Sequence, residues 1–289
     1  MTDEEKNLGV LREQIDTLDQ QIQSLINQRA ACAQQVAEVK TQASDGKEVL
    51  YYRPEREAQV LRKVMERNRG PLPDEDMGRL FREIMSCCLA LEKPVKVAFL
   101  GPEGTYTHAA ALKHFGHFVA AQPLAAIDEV FREVASGQAN YGVVPVENST
   151  EGVVNHTLDS FVDSPLYISG EVQLRIHHHF LASTALPLKN IKRVYAHQQS
   201  LAQCRQWLDA HCPQIERVAV SSNGEAARLA EQEGGVAAIA GDMAAELYGL
   251  TKLSENIEDR PDNTTRFLVI GADVVPASGA DKTSLLVSV

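Results

Sequence analysis

Six charged residues interrupt the apolar helix faces in the first third of the chain: Arg12, Arg29, Lys40, Arg56, Glu57 and Glu92. Taken singly, an arginine beside an apolar seam is ordinarily solvated by snorkelling its head to water. As a set they ask for more. Burying Arg29 without a partner would cost several kcal/mol. The neighbouring acids are too few to neutralise three or four cations, so a dianionic ligand is the natural counter-charge.

A second set lies further along. An apolar run, Val95 to Leu100, feeds Gly101-Pro-Glu-Gly-Thr105-Tyr-Thr107-His108 and then a helical pattern. Glycine turns at helix N-termini cradle anions with free amides. This one lacks the signatures of a nucleotide loop, so an ordinary capped turn is the plainer reading. Another buried run ends in Glu147-Asn148-Ser149-Thr150, and Asn263-Thr-Thr265-Arg266-Phe267 opens a third. A carboxylate, an amide and hydroxyls at strand ends occupy the place where open α/β sheets bind ligands. The run His177-His178-His179 suggests a metal, but adjacent strand residues face opposite ways and do not converge on one ion, so no metal is expected.

The elements that must position these groups fall into two grammars. Leu11, Ile15, Leu18, Ile22, Leu25, Cys32, Val36 and Val39 step by fours and threes as a heptad seam, with Arg29 where a leucine belongs. No proline or glycine interrupts residues 10–45, which predicts one helix of roughly 50 Å. It outruns any globule its neighbours could form, so a dimer through this helix is the economical way to cover the seam. A second helix starts at Pro54 and stops near Gly70-Pro71. A third follows Pro73 with Asp74 as expected cap, carrying Met77, Leu80, Phe81, Ile84, Cys88 and Leu91.

Lys93-Pro94 closes that part, and strand-like runs then alternate with helical ones. Strands are expected at 95–100, 141–147, 167–182, 191–196, 217–221, 236–240 and 266–272. Helices are expected at 107–115, 126–136, 152–162, 199–210, 223–233 and 243–249. Alternation of this kind predicts a parallel or mixed sheet covered on both faces, as one domain or two lobes. A net charge of −11 disfavours nucleic acid and anionic membranes as partners. No apolar run is long enough to span a membrane. The odd set of Cys32, Cys87, Cys88, Cys204 and Cys212, with no C-x-x-C pair and no signal-peptide pattern ahead, points to free thiols in the cytoplasm.

Leu11 to Asp19, Gln28-Arg29, Val39-Lys40 and Arg53-Pro-Glu-Arg56-Glu57 together resemble the all-helical chorismate mutases, over residues 1–93. The resemblance implies a three-helix, intertwined dimer in which Arg29, Lys40 and Arg56, with Arg12 from the other copy, hold the carboxylates and ether oxygen. Arg53 and Cys88 would line the pocket, and Glu57 would bind the ring hydroxyl. Relatives often carry Gln at the position of Glu92 and Ser at that of Cys88. A carboxylate has no proton to donate, so Glu92 must be protonated to serve the ether oxygen.

Gly101 to His108, Val144 to Ser149, Thr265-Arg266-Phe267 and the stretch Tyr195 to Cys204, which includes Gln203, resemble prephenate dehydratase over residues 95–275. That family implies two α/β lobes similar in outline to type 2 periplasmic-binding proteins. It also implies Thr265 as leading catalytic residue, with Glu147 the alternative acid. Thr105, Thr107, Asn148, Ser149, Gln203, Arg266 and Phe267 would bind substrate. The whole resembles the fused mutase–dehydratase family of phenylalanine biosynthesis, with chorismate and prephenate as ligands and no cofactor. Residues 276–289 resemble the start of an ACT regulatory domain, so feedback by phenylalanine is expected to be weak in this chain. The rivals are a dehydratase acting on arogenate and a non-catalytic sensor of aromatic ligands.

Overall fold

The computed structural model describes residues 3–43 and 52–285, in two compact units, Met1–Pro94 and Val95–Val289. The first unit contains α1 (Asp3–Ala43), α2 (Pro54–Arg67) and α3 (Asp74–Ala90). Pro54 occupies the first turn of α2, where its missing N–H costs nothing. Asp74 does not cap α3. Pro73 holds the cap position, and the Asp74 carboxylate instead accepts from Asn68 Nδ2 at 2.8 Å. Leu61, Val64 and Cys88 are buried, and Gly78 leaves room for the Met65 sulfur. The α1 seam is different: Leu11, Ile15, Leu18, Ile22 and Leu25 are all exposed.

The second unit has two sheets. In the first, the order is β2 (Ala120–Leu124), β1 (Lys96–Leu100), β3 (Tyr141–Asn148), β11 (Thr264–Gly271) and β5 (Tyr167–Arg175), with the short β4 (Gly152–Val153) on β3. In the second, it is β10 (Thr251–Ser254), β6 (His179–Ala182), β9 (Val236–Ala240), β7 (Arg193–His197) and β8 (Glu216–Val220). Helices α5 (Ile127–Ala135) and α6 (Asn155–Val162) cover one face of the first sheet around Val130, Phe131, Val144 and Ile270. Helix α4 (Tyr106–Phe115) lies against β1, β3 and β5, with His108 stacked on Phe99 at 4.6 Å. Around the second sheet, α7 (Gln198–Gln203) and α8 (Arg205–His211) flank a core holding Cys204 and Leu208. Helices α9 (Asn223–Gln232) and α10 (Asp242–Leu247) bury Ala226, Ala230 and Ala244 in another.

The extended stretch expected at 167–182 is therefore two strands in two sheets, and the helix expected at 199–210 breaks at Cys204. Three strands escaped the sequence reading. β2 and β10 are edge strands, β2 carrying Pro123 where a missing ladder donor is tolerated, and β4 takes the first residues of the helix expected at 152–162. Of the strand-like stretch at the end, residues 283–285 have no regular structure and 286–289 lie outside the described residues.

The chain passes between lobes twice, through Ile176-His177-His178 and back through residues 255–263. The two passages run side by side, with Ile257 N–H donating to the His178 carbonyl and Ile176 N–H to the Asn263 carbonyl, both at 2.8 Å. Close contact also joins the lobes at the glycine loop, where a Cβ on Gly224 would lie 2.4 Å from the Glu103 carbonyl oxygen. Backbone cannot swing aside as a side chain can. Gly224→Ala should therefore destabilise this unit by about 1–3 kcal/mol. The readout is urea unfolding followed by the single tryptophan, Trp207; an unchanged midpoint would contradict the contact.

Candidate active sites

In the helical unit, Arg29 and Lys40 are both half-buried. They stand eleven positions apart on α1 (40 − 29), which is three turns, so they share a face about 16 Å apart. Arg12 lies seventeen positions from Arg29 (29 − 12) on the same rigid helix, about 25 Å away. One molecule the size of a small dicarboxylate cannot bridge Arg12 and Arg29 of one copy. Arg12, Arg53 and Arg56 are exposed, and Arg53 is held by Glu55 at 2.6 Å. Cys88 is buried between the helices.

Glu57 has partners that sequence reasoning missed. Arg82 Nε approaches its carboxylate at 3.5 Å, and Tyr52 donates a hydrogen bond. Burial nevertheless outweighs both and pushes the Glu57 pKa up. Arg82 sits one turn past Gly78 on α3, and no pattern marked it as facing Glu57. Glu92 is also pushed upward by burial, with the Lys40 cation opposing. It borders an open cleft of about 300 Å³ with Ala37, Glu38, Thr41 and Gln42. Lys40 acts on Glu92 electrostatically but is not among the residues that line this cleft.

In the α/β unit, the β3–β11 register sets Thr265 opposite Asn148 and Arg266 opposite Glu147. Successive strand residues alternate faces, so Thr265 and Asn148 share one face while Arg266 and Glu147 share the other. Asn148 Nδ2 donates to Thr265 Oγ at 2.7 Å and to Asn263 Oδ1 at 3.0 Å. Asn148 Oδ1 accepts the backbone N–H groups of Thr150 and Glu151 at 2.9 and 3.1 Å. Ser149 and Thr150 hydroxyls also approach Asn263 Oδ1, at 3.4 and 3.3 Å. Asn263 Nδ2 donates to Gln203 Oε1 at 3.1 Å, and Gln203 Oε1 meets His178 Nε2 at 2.8 Å.

Thr265, Asn148, Ser149 and Gln203 are thus gathered into one network. Others are placed elsewhere. Arg266 pairs with Glu147 at 3.4 Å, and Phe267, just past a bulge in β11, is in the core. Thr105 caps α4, accepting from His108 N–H and donating to the Pro102 carbonyl at 2.9 Å. Thr107 is buried in that helix. The histidine run divides among separate partners: His177 with Glu258 at 2.8 Å, His178 with Tyr106 and Gln203, and His179 with Asp242 at 3.1 Å. No group of side chains suited to a metal occurs among the described residues. Tyr106, His178, Glu258 and Asn263 belong to this network although none was singled out as a site residue. Two of the four stand inside the recognisable motifs; His178 had been weighed only as a metal ligand.

Comparison with known families matches this division. The chorismate mutase type II family model covers residues 11–93 and the prephenate dehydratase model residues 97–274, which defines an enzyme of two catalytic domains. A bifunctional chorismate mutase/prephenate dehydratase from Stutzerimonas stutzeri is 63% identical over 286 residues, covering 99% of this chain and 78% of that protein. One from Pseudomonas aeruginosa is 62% identical over 289 residues, covering 100% and 79%. A crystal structure of prephenate dehydratase in complex with L-Phe from Arthrobacter aurescens superposes with a TM-score of 0.59 at 34% identity, covering 65% of this chain and 63% of that one. The chain belongs to the bifunctional chorismate mutase/prephenate dehydratase family.

Glu57 offers a test of the helical site's electrostatics. Its folded pKa already lies above its unfolded value, so ionised Glu57 weighs against folding above that pKa, and the weight disappears as the group protonates at lower pH. Arg82→Gln removes the cation that limits this. The variant should lose roughly 1–3 kcal/mol at pH 7 and less at pH 4. Denaturation of the helical signal at the two pH values measures it; an equal loss at both would contradict the assignment.

Proposed function

We propose that the chain rearranges chorismate to prephenate on its helical unit and converts prephenate to phenylpyruvate on its α/β unit. The observation that carries the second step is the hydrogen bond from Asn148 to Thr265. Because Thr265 Oγ accepts from Asn148, its own proton is free to be given to a ligand.

The mutase reaction is a unimolecular pericyclic shift. Catalysis consists of holding the compact conformer and stabilising charge as the ether bond breaks. Arg29, Lys40 and Arg56 hold the carboxylates, Glu57 takes the ring hydroxyl, and protonated Glu92 donates to the ether oxygen. The gap of about 25 Å along α1, seventeen residues of helical rise, supports giving Arg12 to the site of a second copy. The exposed seam from Leu11 to Leu25 gives that second copy its docking surface, so the working form is a homodimer. The five free cysteines suit a reducing cytoplasm.

In the dehydratase reaction, carbon dioxide and the ring hydroxyl leave together and the ring becomes aromatic. Thr265 delivers a hydrogen bond to the departing hydroxyl, with Asn148 and Ser149 holding Thr265 and its strand in place. Glu147 and Arg266 neutralise one another on the opposite face of the sheet, so proton delivery belongs to the Thr265 side. Thr265→Ala should reduce dehydratase turnover at least a hundredfold and leave chorismate disappearance unchanged. Retained phenylpyruvate production would contradict the role.

Glu92 sets the pH dependence of the mutase. With its pKa raised above 4.5, the protonated form and the rate are highest below that raised value and fall as pH rises through it. Glu92→Gln carries its donor at every pH and should flatten the profile. A wild-type rate independent of pH between 5 and 8, or an identical slope in the variant, would contradict this.

A further inference from the structure

The hydrogen bonds between Thr265 and Tyr106 have their directions fixed at both ends by backbone groups. At one end, Asn148 Oδ1 accepts two backbone N–H groups, so its amide cannot flip and Nδ2 must face Asn263. Asn263 then presents Oδ1 to Asn148 and Nδ2 to Gln203. Gln203 must answer with its carbonyl oxygen, which is also the atom 2.8 Å from His178 Nε2. At the other end, Tyr106 Oη lies 2.6 Å from the His177 carbonyl. A carbonyl only accepts, so the phenol proton is committed there and Tyr106 Oη can only accept from His178 Nδ1, 2.8 Å away. Burial holds the Tyr106 pKa well above its ordinary range, so that proton stays on the phenol.

His178 thus stands between two acceptors. We propose that His178 is a positioning residue for the dehydratase, carrying a proton on each ring nitrogen and thereby holding together Gln203 and Tyr106, the acceptors that the two backbone-fixed ends present to it. The inference rests on the reading of Thr265 as donor, and extends it: the imidazolium holds Gln203 in place, Gln203 holds Asn263, and Asn263 shares the Asn148 amide with Thr265. Burial pulls the His178 pKa down, with His177 and His179 adding to the pull, while Gln203 and the Glu258 carboxylate oppose it. Burial would prevail if the partners could turn to meet a lone pair; Gln203 Oε1 is held by Asn263, and a phenol proton turned toward Nδ1 would leave Tyr106 Oη against the His177 carbonyl oxygen at 2.6 Å with no proton between them. The counter-charge is Glu258, which accepts the His178 backbone N–H at 2.9 Å, bonds His177, and has its pKa lowered by those bonds despite burial. Asp242 and Cys204 also face Tyr106.

The test is ring-nitrogen NMR of the full chain labelled with ¹⁵N-histidine, with the His178 signals assigned by their loss in His178→Gln. Both nitrogens should remain protonated at pH 7, above the ordinary histidine value of about 6.5. A ring nitrogen with a lone pair at pH 7 would overturn the proposal. Tyr106→Phe removes the acceptor at Nδ1. It should release that proton at pH 7 and lower dehydratase kcat about tenfold with KM within about twofold. A variant that keeps both protons, or full kcat with the proton lost, would also overturn it. Failure of the underlying reading is separate: it would appear as dehydratase activity surviving in Thr265→Ala, whatever the His178 spectrum.

Discussion

The constraint on which the dehydratase unit depends is the anchoring of one amide. Asn148 ends a buried strand, and the two backbone N–H groups that follow it in the Thr150-Glu151 turn hold its oxygen. A side-chain amide pinned through its carbonyl can only donate from its other end. That end reaches Thr265 across the β3–β11 ladder. In the proposed mechanism, the direction of this one hydrogen bond is what leaves the Thr265 hydroxyl with a proton to give. It follows from strand register and turn geometry, both backbone properties.

The same logic places the site at the junction of the lobes. The two passages that join the sheets carry His177, His178, Glu258 and Asn263, and they pair through their own backbone. A movement of one lobe against the other would have to rearrange this polar belt before it disturbed either hydrophobic core. Buried polar networks of this kind are costly when partly satisfied and rigid when complete. The helical unit works by the opposite principle. Its cations are spread along helix faces, and Arg12 stands too far along α1 to reach the Arg29 region of its own copy.

Much of this was legible in the sequence, and the reasons differ by element. The heptad spacing and Pro54 located the helices because helix geometry is local. The core strands β1, β3, β7, β9 and β11 were visible as apolar runs because both faces are covered. β2 and β10 were not, since edge strands need no continuous apolar pattern. The break between Arg175 and His179 was hidden because an extended chain reads alike whether it stays in one sheet or crosses to another. Thr265, Asn148 and Gln203 were singled out through motifs, and the structure gathers them in one hydrogen-bond network. The separation of Arg266 and Glu147 from them followed only from register, and Arg82 beside Glu57 followed only from the packing of α3 against α2.

The central claim is most directly tested by reversing one hydrogen bond with almost no change in shape. Asn148→Asp keeps the oxygen that the backbone amides hold and replaces the donor by an acceptor, which would draw the Thr265 proton inward. The measurement is steady-state turnover of prephenate beside that of chorismate on the same preparation. The account predicts that phenylpyruvate formation collapses in kcat while chorismate consumption is unchanged. Wild-type dehydratase kcat in Asn148→Asp would contradict it.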